Sequence, residues 1–109
     1  MINNDDQLNI LRKIRKNPSI NQRQLASDLG LSLGKMNYCL QALKGKGLIK
    51  IQNFKKNRNK IRYLYLLTPQ GIAKKTKLTI SFMKRKLKEY DELQTEIKKD
   101  KIKNTIHKL

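Results

Sequence analysis

Between Asn21 and Gly47 the chain carries start and stop signals so closely spaced that only two short helices and a tight turn fit between them. Asn21 is a residue type whose side chain accepts from the exposed N–H groups of a helix's first turn, and Gln24, three residues on, is placed as a capping-box partner. Gly30 takes a left-handed turn at low cost, Leu31 fills that turn, and Ser32 caps a second start. The spacing predicts a helix over 22–28 that buries Leu25 and Ala26, and another over 33–45. The second places Leu33, Met36, Leu40 and Leu43 on one face. Gly34, Lys35, Tyr38, Gln41 and Ala42 lie mainly on the other, with Asn37 at the border. Gly45 and Gly47 end it around Lys46. Two short helices joined by a glycine-containing turn make a helix-turn-helix unit.

The flanking segments fit around that unit. Leu8, Leu11 and Ile14 share one face of a helix over 4–16, which must stop at Asn17 because the residue before Pro18 avoids the α region. Residues 48–54 and 61–67 are rich in β-branched and aromatic side chains and read as two strands, joined by the wholly polar connector 55–60. Thr68-Pro69 opens a last helix, with a capping threonine followed by proline at the first helical position. No glycine follows Gly71 and no proline follows Pro69, so one helix of roughly seven or more turns can run to the end at about 3.6 residues per turn. The expected fold is α+β, mostly α: a winged helix-turn-helix of three helices and a two-stranded β-hairpin wing over 1–68, then a long C-terminal helix over 69–109.

Charge narrows the partner. The 109 residues carry 26 Lys and Arg against 8 Asp and Glu, a formal charge of +18. Lys, Asn and Ile are all abundant, as an A/T-rich genome would make them, but the distribution is harder to attribute to drift. No acid lies between Asp28 and Glu89, while sixteen basic residues do. A surface that must approach phosphate has that character.

Catalytic chemistry finds no foothold. His107 is the only histidine and lies near the end; the glycines form no phosphate-binding loop; no Cys, His or carboxylate cluster has metal-ligand spacing. The carboxylates after residue 88 read as solvated helix faces paired with lysines. No enzyme, no metal and no cofactor is expected. Cys39 stands alone, so an intramolecular disulfide is ruled out, and a small buried hydrophobe is its commoner use. The start has neither the basic nor the apolar region of a signal peptide, and the longest apolar run, Tyr63 to Leu67, is far too short to cross a bilayer. A cytoplasmic, nucleoid-associated protein with no membrane partner is expected.

Nucleic-acid chemistry remains. Helix 33–45 is the candidate recognition helix for a major groove. Lys35 suits a phosphate or guanine edge; Asn37 and Gln41 suit adenine edges; Gly34 permits close backbone approach; Tyr38 suits sugar, thymine methyl or phosphate. In the wing, Lys55, Lys56, Arg58, Lys60 and Arg62 put five cations within eight residues, and Arg58 at the tip is the candidate for a narrow minor groove. Arg23 and Ser32 are further candidate phosphate contacts. On the last helix Phe82, Met83, Leu87, Tyr90, Leu93 and Ile97 form an apolar stripe, in which Met83, Leu87, Tyr90 and Ile97 recur at heptad-like intervals; past Ile97 the phase slips through Ile102, Ile106 and Leu109. Such a stripe must bury itself, against a two-fold partner or back on its own domain.

The segment 21–50 resembles MarR-type winged-helix regulators, and more narrowly their exopolysaccharide-associated (EPS-associated) subgroup. Ser-Leu-Gly-Lys-x-Asn-Tyr-Cys-Leu (32–40), Gln52-Asn53-Phe54-Lys55 and Tyr65-Leu66-Leu67-Thr68-Pro69-x-Gly71 carry the resemblance, which covers roughly residues 8–97. It implies a dimeric, DNA-binding transcriptional regulator linked to polysaccharide-synthesis genes. Larger MarR-type proteins use extra helices for the dimer interface and an inducer pocket; the last helix is the only candidate for that role here, and no small-molecule effector is assigned. Two other classes stay open at this stage: an RNA-binding or ribosome-associated winged helix, and a protein-interaction module whose basic charge keeps it soluble.

Overall fold

The computed structural model describes the backbone of residues 2–57 and 60–107, and the side chains of residues 2–53 and 62–102. Its elements run α1 (Asn4–Lys16), α2 (Gln22–Leu29), α3 (Leu33–Gly45), β1 (Ile49–Asn57), β2 (Lys60–Leu67) and α4 (Pro69–His107). This is a winged helix-turn-helix fold, mostly helical, with one antiparallel hairpin and a long C-terminal helix. The chain divides into two compact units, Met1–Leu78 and Thr79–Leu109.

The first three helices begin where the sequence supplies an acceptor. Asn3 takes the Asp6 amide at 2.7 Å, Asn21 the Gln24 amide at 2.7 Å, and Ser32 the Lys35 amide at 3.1 Å. Each such cap is worth about 1 kcal/mol. The expected capping box at α2 forms only by half. The Gln24 side chain does not reach back to Asn21; its amide donates to Asp28 Oδ1 at 2.6 Å, one turn along, because a carboxylate is the stronger acceptor. Gly30 ends α2 in the left-handed region at φ 66°, and its N–H returns to the carbonyls of Ala26 and Ser27.

The core of the first unit is built from one face of each helix. Leu8, Ile10, Leu11 and Ile14 of α1 join Leu25 and Ala26 of α2, and Met36, Cys39, Leu40 and Leu43 of α3; Ile49, Tyr65 and Leu78 complete it. Burying a side chain of this size stabilises the fold by about 1.5–3 kcal/mol. Leu33, expected in that core, is instead 43% exposed. A helical side chain lies over the turn preceding its own Cα, and at the first position of α3 there is no such turn to cover.

The hairpin is longer than its apolar residues suggested. Both strands extend into the polar connector, with Ile49 opposite Leu67 at one end and Asn57 opposite Lys60 at the other. A register shift between Lys55 and Asn57 interrupts the ladder. Backbone pairing continues into the lysine-rich part. At the base, Thr68 latches hairpin to helix: its N–H donates to the Leu48 carbonyl at 3.0 Å, its hydroxyl donates to the Gly47 carbonyl at 2.6 Å, and that same hydroxyl accepts from the Gly71 N–H at 3.0 Å. Gly71 is required there, because a Cβ would overlap the Leu48 carbonyl.

The second unit is the remainder of α4. Along it Ile80, Met83, Leu87, Tyr90, Leu93, Ile97 and Ile102 are all exposed, each by half or more. Phe82, at the edge of this stripe, is half-buried beneath its own cations, with the Arg85 guanidinium 5.4 Å and the Lys86 ammonium 5.5 Å from the ring centre.

Candidate nucleic-acid interface

The outer face of α3 is polar and open. Gly34, Lys35, Asn37, Tyr38 and Gln41 are exposed, with Tyr38 at 54%, while Met36, Cys39, Leu40 and Leu43 are held inside. The division follows helical period and fixes which side chains can reach a groove. No side chain occupies Gly34, and a Cβ added there would meet nothing within 4 Å. Ser32 is exposed, but its oxygen already accepts from Lys35 N, so only its hydroxyl proton is left for a phosphate. Arg23, in the first turn of α2, is also exposed.

A second element joins this face through one backbone bond. The Tyr65 N–H of β2 donates to the Pro18 carbonyl at 2.9 Å, which ties the strand to the segment leading into α2. Residues of β2, of α3 and of the segment leading into α2 face one another across a common space. Between them lies a cleft of about 520 Å³. Asn37 and Gln41 of α3 line it on one side, Arg62 and Tyr63 of β2 on another, and Ser19, Asn21 and Gln22 close the end. Asn37 and Gln41, one turn apart on α3, thus share one concavity with Arg62 of the distant strand β2. Gly34, Lys35, Tyr38, Ser32 and Arg23 do not line it.

Arg58 lies outside the described residues, as do the side chains of Lys55, Lys56 and Lys60, whose backbone belongs to the two strands. Ser19, Gln22 and Tyr63 are cleft residues that the sequence reading passed over. Tyr63 had been absorbed into an apolar strand run, yet it is 48% exposed. Its alternation with Leu64 and the buried Tyr65 was an available signal only for position on the sheet, not for this neighbourhood.

Electrostatics on this side are one-signed. No acid lines the cleft. Asp28, the last acid before the cationic stretch, accepts from Gln24 and pairs with Lys13 at 3.5 Å. Burial pushes the Cys39 thiol up, with Asp6 adding to the effect, so it is a neutral packing group beneath the outer face of α3. Burial likewise raises the Tyr65 phenol, with a smaller contribution from Tyr63. Among the described residues no His, Cys, Asp and Glu group is arranged to hold a metal ion, and no helix is long and apolar enough to cross a membrane.

Residues 5–50 match a family model described as winged helix-turn-helix DNA-binding. No curated protein matches the sequence. Solved structures do. The PcaV transcriptional regulator from Streptomyces coelicolor, in complex with its natural ligand, is similar at 20% identity and TM-score 0.63, over 72% of this chain and 54% of that one. A mutant MarR from E. coli complexed with operator DNA is similar at 25% identity and TM-score 0.56, over 66% and 50%. The transcriptional repressor CouR bound to a 23-mer DNA duplex is similar at 23% identity and TM-score 0.67, over 91% and 68%. The chain therefore spans about half the length of the first two, and the likeness establishes the fold.

Proposed function

We propose that the protein is a sequence-specific, double-stranded DNA-binding transcriptional regulator, acting in the cytoplasm on the nucleoid as a homodimer. Helix α3 enters the major groove through Lys35, Asn37, Tyr38 and Gln41, with Gly34 allowing close approach. The hairpin bearing Lys55, Lys56, Arg58, Lys60 and Arg62 follows the backbone or minor groove, and Arg23 and Ser32 add phosphate contacts. The observation that carries this reading is the juxtaposition of Asn37, Gln41 and Arg62 around one acid-free cleft. Amide side chains can read base edges while the cation holds a phosphate of the same duplex. The DNA-bound MarR and CouR structures, which share the fold, lend support.

Dimerisation runs through Phe82, Met83, Leu87, Tyr90, Leu93 and Ile97, since an apolar stripe left in water on this scale favours association. The link to exopolysaccharide-synthesis genes comes from the resemblance of 32–40, 52–55 and 65–71 alone. Selection of bound duplexes from a random pool tests the reading. The expected result is a two-fold symmetric motif, bound more tightly than structured RNA at about 150 mM salt. Tighter binding to RNA, or no enriched motif, overturns it.

A further inference from the structure

The two edges of the hairpin differ. In an antiparallel ladder, residues that aim their backbone groups at the partner strand alternate with residues that aim them away. The Tyr65 N–H of β2 points away from β1, to the Pro18 carbonyl, so Ile51, directly opposite Tyr65, aims its own groups away on the other side. The bond from Thr68 N–H to the Leu48 carbonyl sets the same phase. Ile49, Ile51 and Asn53 therefore present N–H and C=O groups along the outer edge of β1, and among the described residues no backbone group meets them there. A groove of about 700 Å³ follows this edge, bordered by Ile49, Lys50, Ile51 and Gln52, by Lys44 of α3 and by Pro69 of α4. Only Ile51 is shared with the cleft beside α3.

The chemistry of the edge selects its occupant. A row of alternating donors and acceptors is satisfied by a chain with the same alternation, an extended peptide. A DNA backbone offers acceptors alone and would set phosphate against the strand's carbonyls. Charge narrows the peptide further. Lys44 and Lys50 are exposed on the groove, and no acid borders it. A second copy of β1 fits poorly, because that strand carries Lys50, Lys55 and Lys56 and no acid, and edge-to-edge pairing would bring cations together. Ile49 and Ile51 lie on one face of the strand and Lys50 and Gln52 on the other, so a segment alternating apolar and acidic residues matches both faces. We infer that β1 receives an acidic, extended segment of a partner protein as an added strand along residues 49–53. This surface lies beyond the DNA-binding reading and does not depend on it.

Amide hydrogen exchange in the full chain, read by NMR with a capped hexapeptide of alternating valine and glutamate, tests the inference. At saturating peptide, exchange at Ile49, Ile51 and Asn53 should slow by about tenfold or more, while Lys50 and Gln52, which face β2, change little. The same peptide with every amide N-methylated keeps its charge but cannot join a ladder, and it should not bind. A hexapeptide of alternating valine and lysine should not bind either, and Lys50→Glu, at an exposed position, should reverse the preference between the two charged peptides. Unchanged exchange, or equal binding of the N-methylated peptide, overturns strand addition. Equal binding of the lysine peptide overturns the acidic partner. Slowing of the same amides by rising protein concentration alone assigns the edge to a second copy, and slowing by duplex DNA assigns it to the DNA interface; either result overturns the inference. Failure of the protein to bind DNA would leave these outcomes unaltered, since no probe that supports the inference contains nucleic acid.

Discussion

Gly71→Ala separates the structural account from helix propensity, because the two predict opposite signs. Gly71 lies in the first turn of α4, where alanine is favoured over glycine by about 1 kcal/mol. The added Cβ, however, would overlap the carbonyl of Leu48. The helix start must retreat from the hairpin, and the Thr68 latch is what that retreat breaks. Its three hydrogen bonds tie Thr68 N to Leu48, the Thr68 hydroxyl to Gly47, and Gly71 N to that hydroxyl. At about 0.5–1.5 kcal/mol each, their loss costs about 2–4 kcal/mol. After the propensity gain the net cost is about 1–3 kcal/mol. For a unit of this size that lowers Tm by about 10 °C, read by far-UV circular dichroism on heating. An unchanged or raised Tm refutes the latch.

Gly34→Ala is the converse case. Nothing lies within 4 Å of the added methyl, so stability rises by about 1 kcal/mol while affinity for the selected duplex falls, a split visible by pairing thermal melts with binding isotherms. Gln7 is buried in α1 with its Oε1 unpartnered and only a 3.4 Å bond to the Ile2 carbonyl, so Gln7→Leu is expected to raise the urea midpoint, reflecting about 1 kcal/mol. Burial raises the Cys39 thiol, so the unfolded chain ionises it first. Its contribution to stability is present below the ordinary thiol pKa and declines as pH rises past it, and Cys39→Ala should flatten that part of the urea-midpoint-against-pH curve.

Much of the first unit was legible because its signals are local. Asn21, Ser32 and Gly30 each fix a boundary through bonds reaching no more than four or five residues, and the predicted α1, α2 and α3 agree with the structure to within one residue. Leu33 was misplaced because periodicity ignores where along a helix the neighbouring packing begins. Gln24 was misassigned because a stronger acceptor, Asp28, stood on the other side of it. The strands ran past their apolar cores because ladder bonds are indifferent to side chains. The cleft could not be read at all. It depends on Tyr65 reaching Pro18, a backbone bond across most of the domain that leaves no mark in composition or spacing, and Ser19, Gln22 and Tyr63 enter only through it. The reason for Gly71 is equally non-local, since its neighbour is the Leu48 carbonyl, adjacent at the hairpin base but twenty-three positions away in sequence.

The claim that α3 reads DNA is tested most directly by measuring the affinity of the Lys35→Ala/Gln41→Ala double variant for the selected duplex and for a scrambled one. With base contacts worth about 1–3 kcal/mol each, affinity for the selected duplex should fall at least tenfold. Binding to the scrambled duplex should change far less and keep most of its salt dependence. Undiminished affinity and selectivity in a variant that remains folded would contradict the account.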